Sequence, residues 1–266
     1  MVSSYRRARR EEGRIQEPRV TAERREGVPQ PLRGLVPAGA PPAQARGRRL
    51  LRAVLLVPVI AVVLVLVLAL VYRALTPPST LMLGRWATLQ PVTRDVVPLD
   101  SIAPALVQGV VASEDQRFCL HGGVDWDALW SVVDDEDGPS RGASTVTMQT
   151  VKNVFLWPGR SYLRKALEIP LALMVDLVWG KRRTMEIYLN VAEWGEGIFG
   201  AEAAARHWFG KSARDLTKGE AALLVAALPN PFLRNPRRPT RAMRALAGRI
   251  QGRTSGIGGL SQCVRP

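Results

Sequence analysis

Apolar residues follow two patterns in this chain, one continuous and one periodic. Residues 53–72 contain no charge, and only Pro58 and Tyr72 depart from Ala, Val, Leu and Ile. Twenty helical residues rise roughly 30 Å, the hydrocarbon thickness of a bilayer, so the run predicts a transmembrane helix. Beyond it, residues 73–100 carry Pro77, Pro78, Pro91 and Pro98 without a sustained period, which predicts a juxtamembrane connector with at most a short extended piece. From Ile102 the period turns helical: Leu106, Val110 and Val111 make a stripe that ends at Glu114. Asp125 stands where an N-cap belongs, ahead of an inward face of Trp126, Leu129, Trp130 and Val133. Ser144 is the expected cap of the next helix. Its apolar stripe is Met148, Val151 and Phe155, and a polar strip of Thr145, Gln149, Lys152 and Asn153 runs beside it.

Ser161 opens a long helix through 179, with Leu163, Leu167, Leu171, Met174 and Val178 expected on its buried side. Arg164, Lys165 and Glu168 lie on neighbouring turns, and Pro170 should kink or reset the helix. Gly180 breaks it, and a short helix runs on to Asn190. A loop rich in Gly and aromatics follows, carrying Glu193 and Glu196. Ala201–Phe209 is helical again, and Thr217 with Glu220 forms a capping box ahead of a helix over 221–228. A last basic helix is expected over 240–253, with 254–266 frayed. No segment shows a convincing strand period, so the fold class is mainly α.

Charge changes the picture at the N-terminus. The chain carries +14 in all, and residues 1–52 hold thirteen arginines against five glutamates. That stretch is rich in Gly, Pro and Ala and poor in aromatics, so it cannot bury a core and is expected to be a disordered basic tail. Arg48, Arg49 and Arg52 precede the apolar run and Arg73 alone follows it, which predicts an N-terminus in the cytoplasm and the remainder outside. The same bias accounts for the arginines without nucleic acid. The organisation expected is therefore tail 1–52, signal anchor 53–72, connector 73–100, a main domain over 101–240, and a basic helix and tail over 241–266. Two cysteines, Cys119 and Cys263, could pair in an exported domain but give no framework to argue from.

Candidate chemistry centres on Glu114, a carboxylate closing an apolar helix, where burial can tune basicity for general acid–base work. The polar strip of the following helix offers a cation, Lys152, that could face a cleft, although an ordinary amphipathic helix has the same pattern. Arg164 and Glu168 at i,i+4 could simply pair.

Four ordered motifs carry a family resemblance. They are Glu114-Asp115-x-x-Phe118-x-x-His121-x-Gly123-x-Asp125; Arg141-Gly142-Ala143-Ser144-Thr145-x-x-x-Gln149-x-x-Lys152-Asn153; Arg164-Lys165-x-x-Glu168 with Tyr188-Leu189-Asn190; and Gly200-x-Glu202-Ala203-Ala204 with the stretches at 209–211, 220–224 and 228–231. This pattern resembles the family 51 peptidoglycan glycosyltransferases over about residues 75–240. The stretch after Pro231 is too short for a transpeptidase domain, which points to the monofunctional form.

The resemblance implies a lysozyme-like α-helical domain on the outer face of a bacterial inner membrane, polymerising lipid II into β-1,4-linked glycan strands with release of polyprenyl diphosphate. It implies Glu114 as the general base. Ser144, Gln149, Lys152, Asn153, Arg160 and Arg164 then line the donor pyrophosphate and sugar, with Glu168 among them. A divalent cation such as Mg²⁺ can share the phosphate charge; no organic cofactor is expected. Partners are lipid II, the growing strand, the membrane and other cell-wall synthesis or division proteins. Many relatives carry a second Glu before the Tyr-Leu-Asn, and the aligned position is read as Arg183, so that role is absent here or taken by Glu168 or Glu193. Met148 stands where Gln is usual. Asp115 is read as structural, and His121 and Asp125 as equally able to brace the loop or touch substrate. The alternatives are a membrane-anchored muramidase, which would want a raised-pKa acid near Glu114 and no cationic site, and a catalytically weak cell-wall scaffold.

Overall fold

The computed structural model describes residues 43–133, 144–159 and 161–264. The tail over 1–42, the acidic loop at 134–137 and Arg160 lie outside the described residues. Two units divide between Arg52 and Ala53, and the elements that build the site belong to the second.

Helix α1 (Ala43–Tyr72) holds the apolar run. It begins ahead of the expected anchor, so residues 43–52 are helical rather than part of a disordered tail; Ala, Gln, Arg and Leu are good helix formers there. Within it, Val54–Tyr72 is the one stretch among the described residues long and apolar enough to cross a membrane, and most of its large side chains are exposed. Its last turn is fastened from outside. Trp179 donates from Nε1 to the Ala69 carbonyl at 2.7 Å, and Arg183 donates to the Tyr72 carbonyl at 3.0 and 3.2 Å. The Tyr72 carbonyl is one that a helix C-terminus leaves without an intrahelical partner, while the Ala69 carbonyl also accepts from Arg73 N at 3.1 Å.

The stretch 73–100 is more than a connector. It contains α2 (Thr80–Ala87), capped by Ser79, and strand β1 (Thr93–Arg94). Met82 of α2 is fully buried, and the Thr80 hydroxyl donates to the Leu156 carbonyl at 2.6 Å. Eight residues are too few for periodicity to announce such a helix.

The remaining elements are α3 (Pro104–Glu114), α4 (Trp126–Val133), α5 (Val146–Phe155), α6 (Tyr162–Val191), β2 (Glu193–Gly195), β3 (Ile198–Phe199), α7 (Ala201–Phe209), α8 (Lys218–Ala227) and α9 (Arg241–Thr254). The expected α class holds. A small sheet in the order β1-β3-β2 escapes the sequence because each strand has only two or three residues; β3 runs parallel to β1 and antiparallel to β2. One apolar cluster gathers Leu106, Val110, Trp194, Leu224 and Ile250 around α3, α8 and α9. A second joins Met82, Val151, Val175 and Trp179 where α2, α5 and α6 meet. Met148 is fully buried in that second cluster, so its side chain packs the core rather than a site.

Three local expectations are corrected. The N-cap of α5 is Thr145, not Ser144: its Oγ1 accepts from Met148 N at 3.0 Å and donates to the Gly123 carbonyl at 2.6 Å. The buried face of α6 is the reverse of the expected one in its first turns. Arg164 and Glu168 are buried beside Ala172, Val175 and Trp179, while Leu163 is 65 % and Leu167 38 % exposed. Leu171, Met174 and Val178 are half-buried. Periodicity finds a stripe but not the partner it faces, and here the partner is the polar side of α5. The helix runs through Pro170 without a reset, and its interruption falls at Gly180 as expected, where a φ of 68° and ψ of 174° suit glycine alone.

Nor is the C-terminus frayed as far as Val264. Ile257 and Val264 are buried, and Cys263 is disulfide-bonded to Cys119, 144 residues earlier.

Candidate active site

Glu114 ends α3, where the chain leaves the helix at Asp115. The next residues are braced from several sides. Asp115 accepts from His121 Nε2 at 3.0 Å and from Val146 N at 2.9 Å, so it ties the end of α3 to the start of α5. Phe118 is fully buried, with Lys181 Nζ 4.7 Å from its ring centre. Gly123, at φ 85°, lies so close to the Ala172 carbonyl that a Cβ would collide with it. Asp125 accepts from Ala128 N at 3.2 Å as the cap of α4. His121, Asp115 and Asp125 therefore hold the loop in place.

This bracing points the polar side of α5 at Glu114. Gln149 Nε2 donates to Glu114 Oε2 at 3.2 Å, and the Ser113 hydroxyl donates to Oε1 at 3.2 Å. Behind Gln149, the Tyr188 hydroxyl donates to Gln149 Oε1 at 3.3 Å. Lys152 and Asn153 lie three and four residues on, which places them on the same helix face. Lys152 is mostly buried, and among the described residues it has no hydrogen-bond or ion-pair partner. Burial holds its pKa below the usual lysine value; Glu168 and Glu114 pull it up, while Arg164 and Lys165 push it down.

The inner face of α6 completes the group. Glu168 accepts from Arg164 and, at 3.1 Å, from Lys165, and Lys165 reaches on to Ser144 Oγ at 3.3 Å. Hydrogen bonds thus link Glu114 to Gln149, Gln149 to the Ser144 carbonyl at 3.5 Å, and the Ser144 hydroxyl through Lys165 to Glu168 and Arg164; Lys152 joins this set by charge alone, with Asn153 alongside. Two further residues touch this set, Lys165 and Tyr188, and the sequence assigns neither a role although both stand inside the motifs. Only the inward turn of α6 and the closeness of α5 reveal them.

Two candidates fall elsewhere. Glu193 accepts from Gly197 N at 2.9 Å in the β2–β3 turn and faces Arg85 at 3.8 Å, away from this set. Its pKa is raised, first by burial. Arg183 pairs with Glu186 and caps α1, and Glu186 accepts from Leu99 N at 2.9 Å. Arg183 therefore does not stand in for a lost carboxylate at the site; the carboxylate beside the cations is Glu168.

Chemically, the set offers one acceptor able to take a proton and, close by, a surplus of cations beside the polar face of α5. Lys152, Arg164 and Lys165 outnumber the single carboxylate Glu168 among them. An excess of partly desolvated positive charge is suited to a polyanionic group such as a pyrophosphate.

Comparison with known proteins agrees with this chemistry. The family model described as Transglycosylase matches residues 82–254, from within α2 to the end of α9. The chain is 54 % identical over 217 residues to the biosynthetic peptidoglycan transglycosylase of Brucella suis biovar 1, covering 81 % of this chain and 96 % of that one. It is 56 % identical over 190 residues to the Agrobacterium fabrum protein of the same name, covering 71 % and 84 %. Against that of Rhodopseudomonas palustris strain HaA2 it is 51 % identical over 222 residues, covering 82 % and 97 %. Matched motifs, helical fold and site together lead to one statement: the chain belongs to the transglycosylase family.

Proposed function

We propose that this enzyme, a peptidoglycan glycosyltransferase, polymerises lipid II into β-1,4-linked glycan strands with Glu114 as general base. Glu114 takes the proton from the acceptor sugar's 4-hydroxyl as that oxygen attacks the donor's anomeric carbon. The bond from that carbon to the pyrophosphate oxygen breaks, the electron pair leaves with the pyrophosphate, and configuration inverts. Most glycosidases need a second carboxyl group to protonate a poor leaving group. Pyrophosphate departs as a stable anion, so cations serve it better than an acid. The observation that carries the reading is Lys152, a largely buried cation with no anion of its own among the described residues, one helical turn from the Gln149 that holds Glu114.

Arg164 and Lys165, oriented by Glu168, share the phosphate charge, and Ser144 and Asn153 border the donor sugar. Mg²⁺ would come with the pyrophosphate. It binds through substrate phosphates plus one or two carboxylates, and Glu168 already has two cationic donors, while no group of three metal-binding side chains occurs among the described residues. The arginines before the apolar run and the Cys119–Cys263 disulfide both support an N-terminus in the cytoplasm and a catalytic domain on the oxidising side of the bacterial inner membrane. A single-pass anchor keeps the base and the lipid-linked substrate on one surface.

The test is full-length protein in detergent with labelled lipid II, with Glu114→Gln alongside. Wild type should give polymer, and the variant should lose it by two to four orders of magnitude, the usual worth of a general base. Cleavage of pre-formed glycan would favour the muramidase; folded wild type without turnover would favour the scaffold.

A further inference from the structure

We propose that Tyr188 is a positioning residue for the base: its hydroxyl decides which end of the Gln149 amide faces Glu114, and so keeps that carboxylate ready to accept a proton. The proposal rests on the reading of Glu114 as the base.

The argument is one of donor and acceptor inventory. An ionised carboxylate can only accept, whereas a glutamine amide has one accepting end and one donating end. Gln149 presents Nε2 to Glu114 at 3.2 Å, which leaves Oε1 turned inward, 3.3 Å from the Tyr188 hydroxyl. Tyr188 is 2 % exposed, and Gln149 is its hydroxyl's partner among the described residues. Burial, and then the charge of Glu114, hold Tyr188 well above the usual tyrosine pKa, so it keeps its proton. Suppose the amide turned over. Oε1 would then face Glu114, an arrangement stable only with the carboxyl protonated, and the buried Tyr188 proton would lose its acceptor. Amide orientation and the protonation of Glu114 are therefore one linked equilibrium, and the Tyr188 proton biases it towards the ionised state.

One other group favours the same amide orientation: Gln149 Nε2 also donates to the Ser144 carbonyl, but at 3.5 Å and from the same end that serves Glu114, so Tyr188 is the partner that holds Oε1. Ser113 donates a hydroxyl from the same helix and can rotate to suit either state. Lys152 of α5 is within charge range of Glu114, but also of Glu168, Arg164 and Lys165 of α6, and it makes no hydrogen bond to the amide. Asp115 is engaged by His121 and Val146 N. Helices α8 and α9 meet α3 with Val225 and Ile250, near Gly109.

The experiment is the pH profile of kcat/KM for lipid II polymerisation, whose acid limb reports the free enzyme's base. Tyr188→Phe in the full-length protein should move that limb upward by about half to one pH unit, since one unit corresponds to the loss of a single hydrogen bond's bias on a charged group. A 3-fluorotyrosine at 188, a stronger donor of nearly the same shape, should move it to lower pH by a smaller amount. It also covers the case in which Tyr188→Phe does not fold. A limb that stays in place, with activity reduced equally at every pH, would make Tyr188 a packing residue and overturn the proposal; so would the two substitutions shifting it the same way. Glu114→Gln is run in parallel. If that variant keeps its activity, the reading of the base fails; if it is inactive while the limb ignores position 188, only the positioning role fails.

Discussion

Lys152 shows most directly how function and stability oppose each other at a single residue. Its pKa is lowered chiefly by burial. The folded state therefore disfavours the charged form relative to the unfolded chain. That penalty is present below the lowered pKa and relieved as pH rises through it, so stability rises with pH between the folded and unfolded values. Replacing the cation with Lys152→Met should cut polymerisation by about 10²-fold or more, the scale of losing one preorganised donor to a developing anion. The same variant should melt at or above the wild-type temperature, because no ion pair among the described residues is lost. Calorimetry beside the lipid II assay checks both halves, and a large drop in melting temperature would count against a site built for an absent anion. Lys152→Arg keeps its charge to higher pH, so the alkaline rise in KM expected of wild type should disappear in it.

At the scale of elements, helices were legible where caps and stripes agreed, and illegible where burial depends on a distant partner. The Thr217–Glu220 capping box, the Asp125 cap and the 201–209 helix could be read because each signal lies within a few residues. The buried side of α6 could not be. Leu163 and Leu167 form the better apolar stripe, yet Arg164 and Glu168 turn inward because the polar face of α5 is what they meet. Arg183 is a similar case. Read along the chain it is set against the second Glu of relatives, although Glu186 itself stands two residues before Tyr188; in the fold Arg183 donates to the Tyr72 carbonyl and Thr76 Oγ1 and pairs with that Glu186. Arg183→Glu should therefore gain no activity and should place like charges together on α6, with the loss of its half-buried hydrogen bonds costing about 1–3 kcal/mol. For a folded region of this size that lowers the melting temperature by roughly 2–4 °C per kcal/mol. A rise in turnover would restore the idea that a catalytic carboxylate is missing at this position.

At the scale of the whole molecule, the loop that follows Glu114 is held by two parts of the chain distant in sequence. Helix α6 reaches it through Lys181 and Phe118, and the C-terminal segment reaches it through Cys263 and Cys119. Nothing in the spacing of two cysteines announces that bond, because the pairing depends on a tail that must first be packed, as Ile257 and Val264 are. A crosslink closing a loop of 144 residues removes much of the unfolded chain's freedom; the chain-entropy argument gives about 5 kcal/mol, and native disulfides usually return about 2–5. Reduction should thus lower the melting temperature by several degrees, and Cys263→Ser should lower it by a similar amount and make it indifferent to reductant. Polymerising activity should fall before the fold is lost, since Cys119 lies five residues from Glu114 and four from Asp115, the residue that ties α3 to α5. The comparison to make is the temperature of half-maximal activity against that of half-unfolding, each with and without reductant. If the two fall together, the bond serves stability alone. If activity falls first, the disulfide also holds the base in register with the cations, and a chain kept reduced would be folded but slow.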